Sequence, residues 1–250
     1  MKDKIKEMII NFTEKYSANT ESDWKEPLIA FADSDDSLFG QMKKIISPTH
    51  ALPSDFLSEA NTVITYFLPF TKDIGDSNID GKFASYKWAV AYIETNQLIH
   101  NINHYIHEKL EEMGYNSTII PATHNFDEEK LISDWSHRHA AYIAGLGTFG
   151  VNNMLITEKG CCGRVGSIVT DLEIIPDNRP EKEHCLYKRD GSCLVCVDHC
   201  VNDALFEGDF DRHKCYEMCL INDDKYGDMD TTDVCGKCVV GLPCTYRIPD

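Results

Sequence analysis

The chain has 250 residues, 42% of them hydrophobic, and a formal charge of −17, which leaves room for one large domain and a small appended one. The acidity argues against a nucleic acid partner, because phosphates are bound by Lys and Arg patches. No apolar run approaches the roughly 18 residues of a membrane span. The opening MKDKIKEMIINF is charged throughout and carries no apolar signal segment, so the expected place is the cytoplasm, with no membrane partner.

Ile5, Met8, Ile9, Phe12 and Tyr16 recur at helical spacing and predict an amphipathic helix over 2–16. A short apolar run, Leu28 to Ala32, follows Pro27, and 37–46 reads as a short helix. TVITYFLPF (62–70), rich in β-branched and aromatic residues, is the firmest strand. Gly75, Gly81 and several Asp make 71–82 a loop. A long helix is predicted over 84–113, with Leu98, Ile99, Ile102, Ile106, Leu110 and Met113 on one face and Gly114 as its stop. His100, His104 and His107 have metal-like spacing on that helix, but they lie away from the apolar stripe beside Glu108 and Glu111 and read as a solvated face. Residues 117–122 read as a strand, and DWSHRHAAYIA (134–144) as a helix stopped by Gly145. GLGTFGVNN then packs three glycines into six residues, which suits backbone lying close to a large flat ligand or, more plainly, a tight turn. It follows a helix rather than a strand, so it is no dinucleotide fingerprint. Strands are predicted at 154–157 and 165–170 around the turn GCCGR, and Pro176 and Pro180 mark a linker.

Nine of the 11 cysteines fall between Cys185 and Cys244. They read C-x7-C-x2-C-x3-C (Cys185, Cys193, Cys196, Cys200), then Cys215 and Cys219, then C-x2-C-x5-C (Cys235, Cys238, Cys244). Concentration at one end argues for a local site rather than a disulfide framework. Four thiolates hold one four-iron cube, and in two-cluster ferredoxins the last cysteine of each group crosses to the other cluster. Applied here, one [4Fe-4S] cluster takes Cys185, Cys193, Cys196 and Cys244, and the other takes Cys200, Cys215, Cys235 and Cys238. Cys219 is the spare, one helical turn from Cys215, and the two could trade roles. C-x2-C pairs also build zinc ribbons, which is the rival reading. So many thiolates also suit a niche low in oxygen. Cys161 and Cys162 lie outside this stretch, either as small buried hydrophobes or beside a redox cofactor.

HRHAAYIAGLGTFGVNNMLIT (137–157) followed by VGSIVTD (165–171) resembles the epoxyqueuosine reductase family, whose corresponding stretch is R-x5-AGLG-x2-G leading into strands. The cysteine pattern matches too, with Cys215 in a basic-Cys-Tyr setting. The resemblance implies an α+β fold: a nitroreductase-like, corrinoid-binding domain over 1–178 fused to a two-cluster ferredoxin-like domain over 179–250. Reductive dehalogenases look similar in both parts. It further implies base-off cobalamin fed by the two clusters, with Arg138, Gly145, Leu146, Gly147 and Gly150 matching the cofactor-binding motif. The family's catalytic Asp, in a D-S-A-P segment, aligns with Leu131, and the last cysteine is followed by Thr245 instead of Pro. The helical-repeat extension that helps long members hold tRNA is not in this sequence, which with the charge makes tRNA a poor substrate expectation. No D-x-H-x-x-G corrinoid motif occurs, since Asp211-Arg212-His213-Lys214-Cys215-Tyr216 lacks the glycine.

A helix over 134–144 would put Asp134, His137 and Arg138 on one face, able to give a proton and hold an anion. Asp134 and His137 are therefore candidate catalytic residues, with a surface ion pair between Asp134 and Arg138 as the plain alternative. Tyr142, on another face with His139, is a further catalytic candidate as a second proton donor, with packing as its plain role. The reading is an oxidoreductase acting on a small molecule, with an external low-potential donor such as ferredoxin or flavodoxin. An electron carrier without its own substrate and a flavin-dependent reductase are the rivals.

Overall fold

The architecture is a computed structural model that describes residues 1–120, 126–127 and 129–250. It is an α+β chain. Four strands form one antiparallel sheet in the order β1 (Leu28–Asp33), β2 (Thr62–Pro69), β8 (Gly163–Thr170), β3 (Ser117–Ile119). The central β2 is buried along its whole length, so both faces of the sheet must be covered. Alternate side chains divide the work. Ile64, Tyr66 and Leu68 face a cluster with Ile5 and Ile9 of α1 (Lys2–Ser17) and with Leu98, Ile102, Ile106 and Leu110 of α5 (Tyr86–Glu112). Val63, Phe67 and Val169 face the other way, against Phe39 of α2 (Ser37–Ile45) and Ala140, Ala141 and Ile143 of α6 (His137–Ile143). The sheet is thus the middle of three layers.

Local chemistry sets the helix ends. Ser85 caps α5, its hydroxyl accepting from the Trp88 N–H at 3.1 Å, and Gly114 leaves it at φ +85°. The histidine face of α5 is solvated as expected: His100 and His104 are exposed, and His107 bonds Ser117 Oγ at 2.7 Å. Two short helices, α3 (Pro53–Phe56) and α4 (Lys72–Ser77), flank β2. The second was expected to be loop; its glycine, Gly75, is tolerated because it packs beneath Tyr246 and Cys162. The predicted strand over 117–122 is ordered here as β3, and its positions 121–122 lie outside the described residues. A hairpin of β4 (Phe126–Asp127) and β5 (Ile132–Ser133) follows, with Leu131 in the turn at φ +53°.

After α6 come the hairpin β6 (Gly147–Phe149) and β7 (Leu155–Thr157), then β8. The cysteine-rich segment carries α7 (Leu186–Asp190), α8 (Val195–Asp198), the hairpin β9 (Leu205–Phe206) and β10 (Asp209–Phe210), α9 (Arg212–Lys225) and a 3₁₀ turn, Lys237–Val239. Val239, Val240 and Cys185 join the same apolar cluster as α1 and α5. Buried asparagines complete the seam by satisfying loop carbonyls. Asn78 donates to Cys235 O (2.9 Å), Asn152 to Cys238 O (2.7 Å) and Asn222 to Val234 O (2.9 Å). Among the described residues, no helix is long and apolar enough to cross a membrane.

Candidate functional site

A cavity of about 470 Å³ opens between the sheet and the cysteine-rich segment. One wall is Trp88, Tyr92, Trp135, His137, Arg138 and Arg164; the other carries Cys200, Cys215, Cys219, Cys235 and Cys238. Cys235 and Cys238 sit on the loop held by Asn78 and Asn152, Cys215 and Cys219 on successive turns of α9, and Cys200 after α8. The thiols feel one another's charge. Burial pushes the Cys238 thiol up, and Cys215, Cys235 and Cys200 push it further. Cys215 is pulled down to about 7, first by the hydrogen bond from Cys219 and then by the Arg138 guanidinium. Cys219, the donor of that bond, is held protonated.

Cys185, Cys193, Cys196 and Cys244 line a second, smaller cavity. Cys196 is pushed up to about 12 by burial and then by Cys244, Cys185 and Cys193. Thus the spacing of seven residues before Cys193 is spanned by α7, which brings Cys185 back to its group. Among the described residues no such group closes on a single metal-ion position. Cys161 lies between the two groups: it lines the larger cavity, and its sulfur is 3.9 Å from Cys244 Sγ. Cys162 faces the core instead, where burial pushes its thiol up to about 12.

The expected face of Asp134, His137 and Arg138 does not form. Ser136 caps α6, so the helix begins at His137, and Asp134 precedes it. The Asp134 carboxylate is exposed and accepts from Thr49 Oγ1 at 2.7 Å, away from the cavity lining. Tyr142 is also outside the cavity lining, packed on Phe149 with centroids 5.7 Å apart and the rings tilted by 39°. His137 does line the cavity, but not as a group titrating near neutrality. Burial, then the Arg164 charge, lower it to about 4. Its Nδ1 meets Ser167 Oγ at 2.7 Å, and Ser167 accepts from Trp135 Nε1 at 3.1 Å. With Ser167 donating to Nδ1, the proton of neutral His137 sits on Nε2; with Ser167 accepting there as well, it sits on Nδ1. Arg138 reaches Asn153 O at 2.7 Å from the cavity wall.

The glycine segment is not part of the large cavity's lining. A Cβ on Gly145 (φ +91°) would stand 2.4 Å from Asn178 O, and one on Gly147 would stand 2.1 Å from Ile156 O. Gly150 abuts Asn152 and borders the smaller cavity, and Leu146 is buried in the core on the α6 side. Gly145 and Gly147 have no room for a side chain because the chain's own backbone lies against them. The close approaches that the fold itself shows are to β7 at Gly147 and to residue 178 at Gly145.

Several site residues escaped the sequence reading. Arg164 lies 4.3 Å over the Tyr92 ring, and the Tyr92 hydroxyl donates to Asp233 Oδ1. Tyr92 is raised to about 12, by burial first. Lys237, between Cys235 and Cys238, is buried and donates to Asn78 O and Asp80 O, both at 2.8 Å. The N–H of Trp88, in the cavity wall, is buried with no partner. Arg164 and Lys237 had one sequence signal, a cation within two positions of a cysteine, whereas Trp88 and Tyr92 sit inside the long helix with none.

No family model matches the chain. Among curated proteins, the epoxyqueuosine reductase of Cyclobacterium marinum is 32% identical over 110 residues, which is 39% of this chain and 34% of the relative. That of Bacillus anthracis is 27% identical over 172 residues, 65% of this chain and 41% of the relative. Among solved structures, a selenomethionine-labelled epoxyqueuosine reductase covers 99% of this chain and 69% of its own at TM-score 0.56 and 18% identity. The chain is similar to epoxyqueuosine reductases. It spans less than half the length of the curated relatives it matches. An epoxyqueuosine reductase bound to an epoxyqueuosine-modified tRNA-Tyr stem loop aligns with 97% of this chain and 65% of its own, at TM-score 0.58 and 18% identity. That complex overturns the exclusion of nucleic acid. Net charge is a property of the whole surface, whereas a stem loop is met by the local charge around one site.

Proposed function

We propose that this chain is a reductase whose two [4Fe-4S] clusters feed a base-off corrinoid in the 470 Å³ cavity. Residues 179–250 would hold the clusters, one on Cys185, Cys193, Cys196 and Cys244 and one on Cys200, Cys215, Cys235 and Cys238. Residues 1–178 would supply the nitroreductase-like remainder of the site. The observation that carries the reading is the sorting of eight thiols into two groups, one of them facing Arg138, His137 and Arg164 across a cavity. The donor set fits iron: mutually repelling buried thiolates need a cationic guest. The unpartnered Trp88 N–H fits it as well, because cluster sulfurs are acceptors.

When bound, the clusters supply single electrons at low potential and the corrinoid supplies the centre at which a substrate is reduced. The protein's part is binding and proton placement. Arg138 and Arg164 present fixed positive charge to an anionic guest. With Ser167 donating to its Nδ1, His137 offers a neutral Nε2–H, and Tyr92, braced between Arg164 and Asp233, keeps its proton at neutral pH. Gly145, Leu146, Gly147 and Gly150 shape the site from behind rather than touching the cofactor. Reduced thiols suit a cytoplasmic setting with a ferredoxin- or flavodoxin-class donor.

Anaerobic reconstitution with iron and sulfide tests the first half: about eight irons per chain are expected. EPR of cob(II)alamin tests the second; protein should abolish the nitrogen superhyperfine splitting of the base-on form. An unchanged base-on spectrum with stoichiometric, iron-loaded protein would sink the corrinoid reading. An epoxyqueuosine-modified stem loop is the first substrate to try, because the tRNA-bound neighbour aligns with 97% of this chain. Small-molecule epoxides come second.

A further inference from the structure

Of the described side-chain N and O atoms with a buried position, two have no hydrogen-bond partner: His50 Nε2 and Trp88 Nε1. His50 stacks on Trp135 and lines neither cavity. Trp88 is different. It is 4% exposed, starts α5 beneath the Ser85 cap, and lines the large cavity together with Cys200, Cys215, Cys235 and Cys238. Its ring lies against the turn inside the C-x2-C pair. A Cβ on Gly236 would stand 2.5 Å from Trp88 Nε1 and 2.2 Å from Cζ2, so only glycine, at φ +73°, lets the indole come this close. Phe70 meets the ring edge-on, with centroids 5.2 Å apart, and helps fix its angle.

A buried indole N–H without an acceptor is costly, and native proteins seldom keep one without a reason. Here it lies beside Cys235 and Cys238, whose sulfurs become acceptors as thiolates. We infer that Trp88 Nε1–H donates to a sulfur of the cluster held by Cys200, Cys215, Cys235 and Cys238 and raises that cluster's reduction potential. The inference rests on the cluster assignment proposed above. Its physics is direct. Reduction adds one electron, and so one negative charge, to the cluster, and no proton need move. A hydrogen bond to sulfur strengthens as that charge grows, so it favours the reduced form. The buried Lys237 ammonium, fixed on Asn78 O and Asp80 O, adds to the same bias from the other side of Gly236. The arrangement would therefore set the cluster nearest the cavity apart from the one on Cys185, Cys193, Cys196 and Cys244.

The test is the midpoint potential of each cluster, read by EPR during an anaerobic dithionite titration of the reconstituted chain. In Trp88→Phe, which keeps an aromatic ring and removes the donor, the reduced-to-oxidised ratio at fixed poise should fall roughly tenfold. That is about 59 mV for a one-electron couple. The other cluster should not move. Trp24→Phe, whose indole bonds Thr95 Oγ1 at 3.0 Å and lines neither cavity, is the control. Iron content separates the two levels of the argument. If Trp88→Phe binds iron like the parent and the reduced-to-oxidised ratio of both clusters at fixed poise is unchanged, the hydrogen bond is wrong and the cluster reading stands. If the parent itself holds no cluster, the cluster reading fails and takes this inference with it. Should Trp88→Phe not fold, pulsed EPR of the reduced parent carrying ¹⁵N-indole tryptophan decides. A resolved ¹⁵N coupling supports the bond, and its absence overturns it.

Discussion

Replacing Gly147 by Ala separates two accounts of the glycine segment. If the glycines make room for a ligand, the variant should fold normally and lose only cofactor. If they make room for the chain itself, the variant should lose stability. The geometry favours the second. The added Cβ would stand 2.1 Å from Ile156 O, 2.8 Å from Ile156 C and 3.1 Å from Thr157 Cα. All three are backbone atoms of the paired strand, so no side chain can swing aside. The hairpin must open by about 1 Å to restore ordinary contact, which strains the Gly147–Thr157 and Phe149–Leu155 pairing. Overpacking of this kind costs about 1–3 kcal/mol, and one weakened buried hydrogen bond adds about 1 kcal/mol. A loss of about 2–4 kcal/mol lowers Tm by roughly 5–15 °C in a domain of this size. Far-UV circular dichroism melts of the reconstituted chain, with cobalamin binding measured in parallel, give the answer. A Tm within about 1 °C of the parent together with lost cobalamin binding would refute the packing account.

Cys219→Ser should keep about eight irons while Cys215→Ser keeps about four, as read by iron and sulfide analysis; the reverse would exchange their roles. Tyr66→Phe removes the buried bond to Asn103 Oδ1 (2.8 Å) and leaves that amide oxygen unpaired, so stability should fall by about 1–2 kcal/mol in a denaturant titration. His137 and His139 are both lowered to about 4, in each case by burial first, whereas an unfolded histidine titrates near 6.5. The unfolded chain thus binds more protons between those values. The stability is fully present above about pH 6.5 and declines as pH falls toward 4, by about 1–2 kcal/mol per histidine at pH 5. Denaturant midpoints at pH 7 and pH 5 measure it, and His137→Gln should flatten the slope.

The sequence determined the elements and the thiol inventory. Helical spacing located α1 and α5, β-branched density located β2, and the cysteine intervals divided the thiols into groups that line separate cavities, with Cys161 and Cys219 also in the larger one. These signals are local: periodicity and spacing act within one segment. What faces the cavity was decided by tertiary structure. A helix that starts three residues later than expected, at His137 after the Ser136 cap, turned the Asp134 carboxylate out to Thr49. The backbone that crowds two of the glycines, β7 at Gly147 and residue 178 at Gly145, lies next to them only in the folded chain. Trp88, Tyr92 and Arg164 come from a helix and a strand far apart in the chain, and their meeting with Cys235, Lys237 and Cys238 depends on how the cysteine-rich loops dock. Asn78, Asn152 and Asn222 fix that docking through backbone carbonyls. Such bonds have no periodicity, because they join whatever donor and acceptor the packing leaves buried together.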